Sequence, residues 1–194
     1  MVATPSTMLP LGTIAPKINS LDTTKNQLYS LDGPHGESAL LVCFICNHCP
    51  YVVHLLDSLI FNCNRWRERG VKTIFISSND IIHYPDDSPE NMSQLASKYN
   101  FPCPYLYDEK QKIAKAYHAA CTPDFYLFDS KHQLFYRGRY DESRPGNQIT
   151  PTGKDLGDAV DSLFNEESSP VEQKPSLGCN IKWKKNNEPE YFSK

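Results

Sequence analysis

Two cysteines bracket a dipeptide in Cys46-Asn47-His48-Cys49, and Pro50 follows at once. Thiols at this spacing can close into a small disulfide and reopen, or they can supply two ligands to a metal. A thiolate, not a thiol, does either job. His48, when protonated, adds positive charge beside both sulfurs and so favours the thiolate. Pro50 lacks a backbone donor, which suits the first turn of a helix, where that donor has no partner anyway. Asn47, His48 and Pro50 are therefore the residues expected to tune Cys46 and Cys49.

The elements on either side decide between these chemistries. Ala39 to Ile45 is an unbroken apolar run, as expected of a strand buried on both faces of a parallel sheet. After Pro50 the spacing turns helical, with Val52, Leu55, Leu56, Leu59, Ile60, Cys63 and Trp66 on one face. The helix is expected to end near Gly70, after Arg67 and Arg69. A strand-to-helix junction puts Cys46 beside the unpartnered N–H groups of a helix start, whose partial positive charge lowers a thiol pKa. Stabilising the thiolate stabilises the reduced form. The pair is thus expected to be more oxidising than thioredoxin, at roughly −270 mV.

Other uses of the cysteines fit less well. Structural zinc ordinarily takes a second CxxC or a nearby His pair, and the remaining cysteines are isolated. Cys43-x2-Cys46-x2-Cys49 has part of an iron–sulfur spacing, but no fourth cysteine follows at ferredoxin distance. Cys43 and Cys63 read as buried small hydrophobes. The reading is no metal and no organic cofactor, since neither common phosphate-binding glycine loop is present.

Further along, Lys17 to Leu31 reads as a hairpin and residues 32–36 as a turn, after a loose lead-in over residues 1–12. Val71 to Ile76 is a second buried strand. Ser88-Pro89-Glu90 starts a helix that runs to about Tyr99, and a shorter helix covers Glu109 to Tyr117. Phe125 to Phe128 and Leu134 to Tyr140 form a hairpin, followed by a loop and a final helix over Lys154 to Phe164. The alternation predicts an α/β fold with a mixed central sheet flanked by helices. Residues 1–166 are expected to form the domain. Residues 167–194 form a polar tail, expected to pack on the domain's surface or to extend from it.

Just before the Phe125 strand stands Cys121-Thr122-Pro123-Asp124. A proline at a strand entry fits a cis peptide in a tight turn and a trans peptide in an ordinary loop alike. Arg137 and Arg139 alternate with Tyr136 and Tyr140, and pairing with Asp141 or Asp124 is the expected structural use.

The chain has 194 residues, 39% hydrophobic and 22% charged, with a net charge of −3. This composition is that of a globular protein and gives no basic excess for nucleic acid or anionic membranes. No run approaches the ~20 apolar residues of a membrane span. The N-terminus lacks the pattern of a signal peptide, so a cytoplasmic location is expected. Seven cysteines cannot all pair within one chain, which argues against a purely structural disulfide framework.

The segment Phe44-Ile45-Cys46-Asn47-His48-Cys49-Pro50-Tyr51-Val52 resembles the signature of a peroxiredoxin-like branch of the thioredoxin superfamily. That branch lies within the alkyl hydroperoxide reductase/thiol-specific antioxidant grouping. Ser78-Asn79-Asp80, residues 84–90, residues 121–125, residues 136–139, Arg144-Pro145-Gly146 and residues 175–183 agree with it. The resemblance implies a thioredoxin-like fold with an N-terminal β-hairpin and a helical insertion. It implies that Pro123 faces the Cys pair and that Thr122 presents its backbone to a substrate.

True peroxiredoxins carry Pro-x-x-x-Thr/Ser-x-x-Cys. Aligned on Cys49, this chain has Val42 for the proline and Cys46 for the hydroxyl residue. In peroxide chemistry Cys49 would attack and Cys46 resolve; in thioredoxin-type exchange the roles reverse.

The leading expectation is a thiol–disulfide oxidoreductase. Its rivals are a thiol peroxidase using the same cysteines and a non-enzymatic binding module, metal-binding through the CxxC. Partners are disulfides or peroxides and an external reductant, for a monomer or homodimer. Cys121 and Cys179 are candidate relay thiols.

Overall fold

The computed structural model describes residues 3–33 and 39–192. Of the expected turn at residues 32–36, residues 34–36 lie outside the described residues, as do Met1 and Val2 of the lead-in.

The strands are β1 (Ala3–Pro5), β2 (Ile18–Asp22), β3 (Gln27–Leu31), β4 (Ala39–Phe44), β5 (Val71–Ser77), β6 (Tyr105–Tyr107), β7 (Cys121–Thr122), β8 (Asp124–Phe128), β9 (Leu134–Gly138) and β10 (Leu177–Asn180). The helices are α1 (Pro50–Glu68), α2 (Pro89–Tyr99), α3 (Lys112–Ala116) and α4 (Lys154–Phe164). The main sheet has the order β3-β2-β6-β5-β4-β8-β9. β4, β5 and β6 run parallel, while β8 and the two hairpins pair antiparallel. This mixed sheet, flanked by helices, is the architecture that the resemblance implies.

β4 lies in the interior of the sheet between β5 and β8, and every one of its residues is apolar and buried. Its two faces feed two cores. Leu41, Cys43 and Ile45 pack with α1, α2 and α4, whereas Leu40, Val42 and Phe44 pack on the opposite side with Ile113 and Tyr117. There the Phe44 ring meets Tyr117 and Tyr126 edge-on, at 5.6 and 5.8 Å. Edge-to-face pairs of this kind add about 0.5–1.5 kcal/mol beyond the area they bury. The chain leaves the sheet at Ile45, whose N–H still bonds Ile76 O. This fixes the origin of the loop that carries Cys46.

α1 starts at Pro50 with Cys49 as its N-cap residue, and no acidic side chain occupies its first turn. It closes with Arg65 and Arg67 in the last turn, and Gly70 follows at φ 97°. That backbone conformation is one glycine adopts without steric cost. Among the described residues, no helix is long and apolar enough to cross a membrane.

The structure differs from the sequence reading at both ends. Ala3–Pro5, expected to be a loose lead-in, pairs with β10, and β10 pairs with β7. The tail therefore does not merely cover the surface, since Gly178 and Cys179 are buried within this small sheet. β6 was also not expected. These strands have two to four residues, too few for an alternation to register, and backbone pairing holds them in place. Arg139 pairs with Asp155 at 2.5 Å, not with Asp141 or Asp124. Arg137 bonds Gln173 and the Leu9 carbonyl.

Candidate active site

The loop from β4 to α1 is held from below by one buried carboxylate. Asp87 accepts the Asn47 N–H at 2.7 Å and the Asn79 amide at 2.7 Å. It also lies 2.8 Å from His48 Nδ1. The Asn47 amide donates to Asp86 O, and Tyr105 donates to Asn47 Oδ1. The His48 ring stacks on Tyr84 with centroids 5.6 Å apart and planes 8° apart. The hydrogen bond to Asp87 raises the His48 pKa against the opposing effect of burial. The imidazolium is thus favoured close to the sulfurs.

Thr122-Pro123 is a cis peptide and lies against the Cys pair. The Cys46 and Thr122 side chains meet at 3.3 Å between Sγ and Oγ1, while Cys49 Sγ lies 3.1 Å from the Thr122 carbonyl oxygen. Cys49 Sγ is also 2.8 Å from Cys179 Sγ. Cys46, Cys49 and Cys179 are all buried.

The two motif sulfurs are not equivalent. Donation from Cys46, aided by Cys179 and the Val52 N–H, outweighs burial and lowers the Cys49 pKa to about 5. The same interaction with Cys49, with burial and the Asp87 charge behind it, pushes Cys46 well above its ordinary value. Several donors converge on Cys49, so of the two sulfurs it is the one whose thiolate is favoured. Its place at the start of α1 adds the field of the helix.

Cys121 is not brought to this cluster. It precedes Thr122 on β7, so its side chain leaves the opposite face of the strand, where its thiol approaches Pro123 O at 3.7 Å. Burial raises its pKa well above normal. Burial does the same to Cys43, and to Cys63, at about 12. Cys46, His48 and Asp87 have potential ligand atoms within 4.8 Å of one another. This trio could contact a metal but supplies only part of a tetrahedral zinc set.

Asp87 and Tyr84 escaped the sequence reading as site residues. Both lie in the 84–90 segment that carries the resemblance, but there they read only as the approach to a helix. A second feature unforeseen in the sequence is a cleft of about 320 Å³ beside the cis peptide. Its walls include Tyr51, Pro123, Phe125, Arg139, Arg144 and Lys174.

The pattern of the AhpC/TSA family matches residues 11–137. The chain is 46% identical to an uncharacterized conserved protein from Geobacillus kaustophilus, with a TM-score of 0.91 over 95% of this chain and 97% of that one. It is 39% identical to a hypothetical protein from Sinorhizobium meliloti 1021, with a TM-score of 0.87 over 93% and 98% of the two chains. A peroxidoxin, BcpB from Mycobacterium tuberculosis, shares the fold at 12% identity, with a TM-score of 0.59 over 81% and 98%. No curated protein matches the chain.

Proposed function

The chain belongs to the AhpC/TSA family, and we propose that it is a thiol–disulfide oxidoreductase in which Cys49 is the attacking sulfur. The supporting observation is that Cys46, Cys179 (Sγ at 2.8 Å) and the Val52 N–H surround Cys49 Sγ as donors, which favours the charge on Cys49.

In this reading the Cys49 thiolate attacks one sulfur of a substrate disulfide. A mixed disulfide forms, and the first substrate thiolate leaves and takes up a proton. Cys46 then loses its proton and attacks Cys49 Sγ. The Cys46–Cys49 disulfide forms and the second substrate thiol departs, so the substrate gains the two electrons the dithiol loses. An external thiol reductant restores the pair. Thr122 and cis-Pro123 lie against the Cys pair, and Pro123 lines the cleft that would receive the substrate, while Asn47, His48 and Pro50 hold and tune the loop. The setting is a reducing, cytoplasmic one, where the remaining thiols stay reduced.

The charge on Cys49 also favours a second reading, because Cys49 is the position that aligns with the peroxide-attacking sulfur. There the thiolate takes one oxygen from a peroxide to become a sulfenate, with release of water or alcohol. Cys46 then condenses with it, releasing water and closing the same disulfide. Disulfide exchange is preferred because Cys46 replaces the hydroxyl that would orient a peroxide.

Steady-state turnover of the full chain with dithiothreitol as reductant separates the two. The expected result is rapid reduction of oxidised glutathione or insulin and slow consumption of hydrogen peroxide, both lost in Cys49→Ser. Fast peroxide turnover without disulfide reduction would overturn the leading reading.

A further inference from the structure

We propose that Cys179 is a second resolving thiol for Cys49, so that the reactive sulfur is served from two sides. This rests on Cys49 being the attacking sulfur.

The contact depends on how β10 is held. β10 is sandwiched between β1 and β7, with Cys179 opposite Ala3 on one side and opposite Thr122 on the other. The strand can come this close to the cis peptide only because the preceding residue is glycine. A Cβ on Gly178 would stand 2.0 Å from Thr122 O and 3.1 Å from Pro123 N. The result is the 2.8 Å approach of Cys179 Sγ to Cys49 Sγ, from which a sub-ångström shift reaches bonding distance. Cys179 directs both its thiol and its backbone N–H toward Cys49. Cys121, which pairs with Asn180 across the β7–β10 ladder, shares the burial but makes no such contact.

The chemistry balances without a further reactant. In the mixed disulfide between Cys49 and a substrate thiol, Cys179 gives up its proton and attacks Cys49 Sγ. The Cys49–Cys179 bond forms, the bond from Cys49 to the substrate breaks, and the electron pair leaves on the substrate sulfur, which is protonated. An external dithiol then attacks Cys179 Sγ and releases the Cys49 thiolate. The second thiol of the dithiol closes its own disulfide and releases Cys179. The low pKa of Cys49 makes it the better leaving group in that step. Burial and the Cys49 thiolate together hold the Cys179 thiol protonated at rest, at a pKa of about 12. Once Cys49 is bonded to substrate, its charge is gone and that part of the restraint is lifted. Cys179 is thereby kept silent until there is a mixed disulfide to resolve.

The test is to oxidise the full-length protein with oxidised glutathione and map its disulfides by mass spectrometry without reduction. Cys46→Ser is expected to lose two thiols and to give a linked Cys49–Cys179 peptide pair, with little lasting glutathione on Cys49. Cys46→Ser/Cys179→Ser is expected to hold glutathione on Cys49 in near-stoichiometric yield, an increase of at least tenfold over the single variant. A stable Cys49–glutathione adduct in Cys46→Ser, with no Cys49–Cys179 pair, would overturn the inference. In that case a Cys46–Cys49 disulfide in the wild type would leave the oxidoreductase reading standing. A wild type in which Cys49 forms neither adduct nor disulfide would end both.

Discussion

Cys49 Sγ and Cys179 Sγ lie 2.8 Å apart although 130 residues separate them in the chain. One caps a helix that springs from the central sheet. The other sits in a short strand of the C-terminal segment, held by backbone pairing to β1 and β7. The reactive dipeptide loop and the end of the chain thus meet at one sulfur.

That meeting depends on Gly178. Gly178→Ala drives a methyl group into the Thr122 carbonyl, so β10 must shift. The expected cost is about 1–3 kcal/mol, the usual range for overpacking. A lowered Tm, together with a reduced yield of the Cys49–Cys179 disulfide on oxidation, is the expected pair of results. An alanine variant with unchanged Tm and unchanged disulfide yield would show that the approach of β10 is not close enough to matter.

His48 should set the redox potential through its charge. The Asp87 carboxylate raises the His48 pKa, so more of the ring is protonated near neutral pH than for an ordinary histidine. This stabilises the reduced form, and the wild-type potential should lie above the roughly −270 mV of thioredoxin. His48→Gln removes the charge and should make the potential more negative, by about 30 mV for each unit by which the Cys49 pKa rises. Equilibration against a glutathione buffer gives both values. An unchanged potential in the variant would mean that the imidazolium does not act on the sulfur.

Asp124 offers a pH-dependent test of the fold beside the cis peptide. It is fully buried, with Tyr126 donating to it at 2.8 Å. Burial lifts its pKa from 3.8 to about 7. Between those values the folded protein binds more protons at this site than the unfolded chain, so the site's contribution to stability falls as pH rises. The penalty is absent below about pH 4 and complete above about pH 7. Asp124→Asn removes the titration and should gain in Tm relative to wild type as pH goes from acid to neutral. A Tm difference that stays flat with pH would contradict the assignment.

The sequence made some of this legible and not the rest, for physical reasons. The apolar run of β4 and the helical spacing after Pro50 are long, so periodicity revealed the junction that carries Cys46 and Cys49. The hairpin over Ile18–Asp22 and Gln27–Leu31, and the helix start at Ser88, also showed: short alternating stretches in one case, a cap followed by proline in the other. β6, β7 and β10 did not show, because two to four residues carry no pattern and their pairing uses backbone groups that every residue has. Asp87 stood in the segment before the Ser88 helix start with nothing in the sequence to mark its role. Its burial under the loop, with Asn47, Asn79 and His48 around it, depends on the packing of distant segments. The preference for Cys49 as the proposed attacking sulfur was equally out of reach, because the donors that favour it come from α1 and β10 as well as from the motif.

The most direct test of the account is the pH titration of thiolate absorbance at 240 nm in the reduced protein, compared among wild type, Cys46→Ser and Cys49→Ser. An acidic thiolate transition near pH 5 is expected in the wild type, persisting in Cys46→Ser and disappearing in Cys49→Ser. A transition that disappears in Cys46→Ser and persists in Cys49→Ser would contradict it and make Cys46 the reactive sulfur.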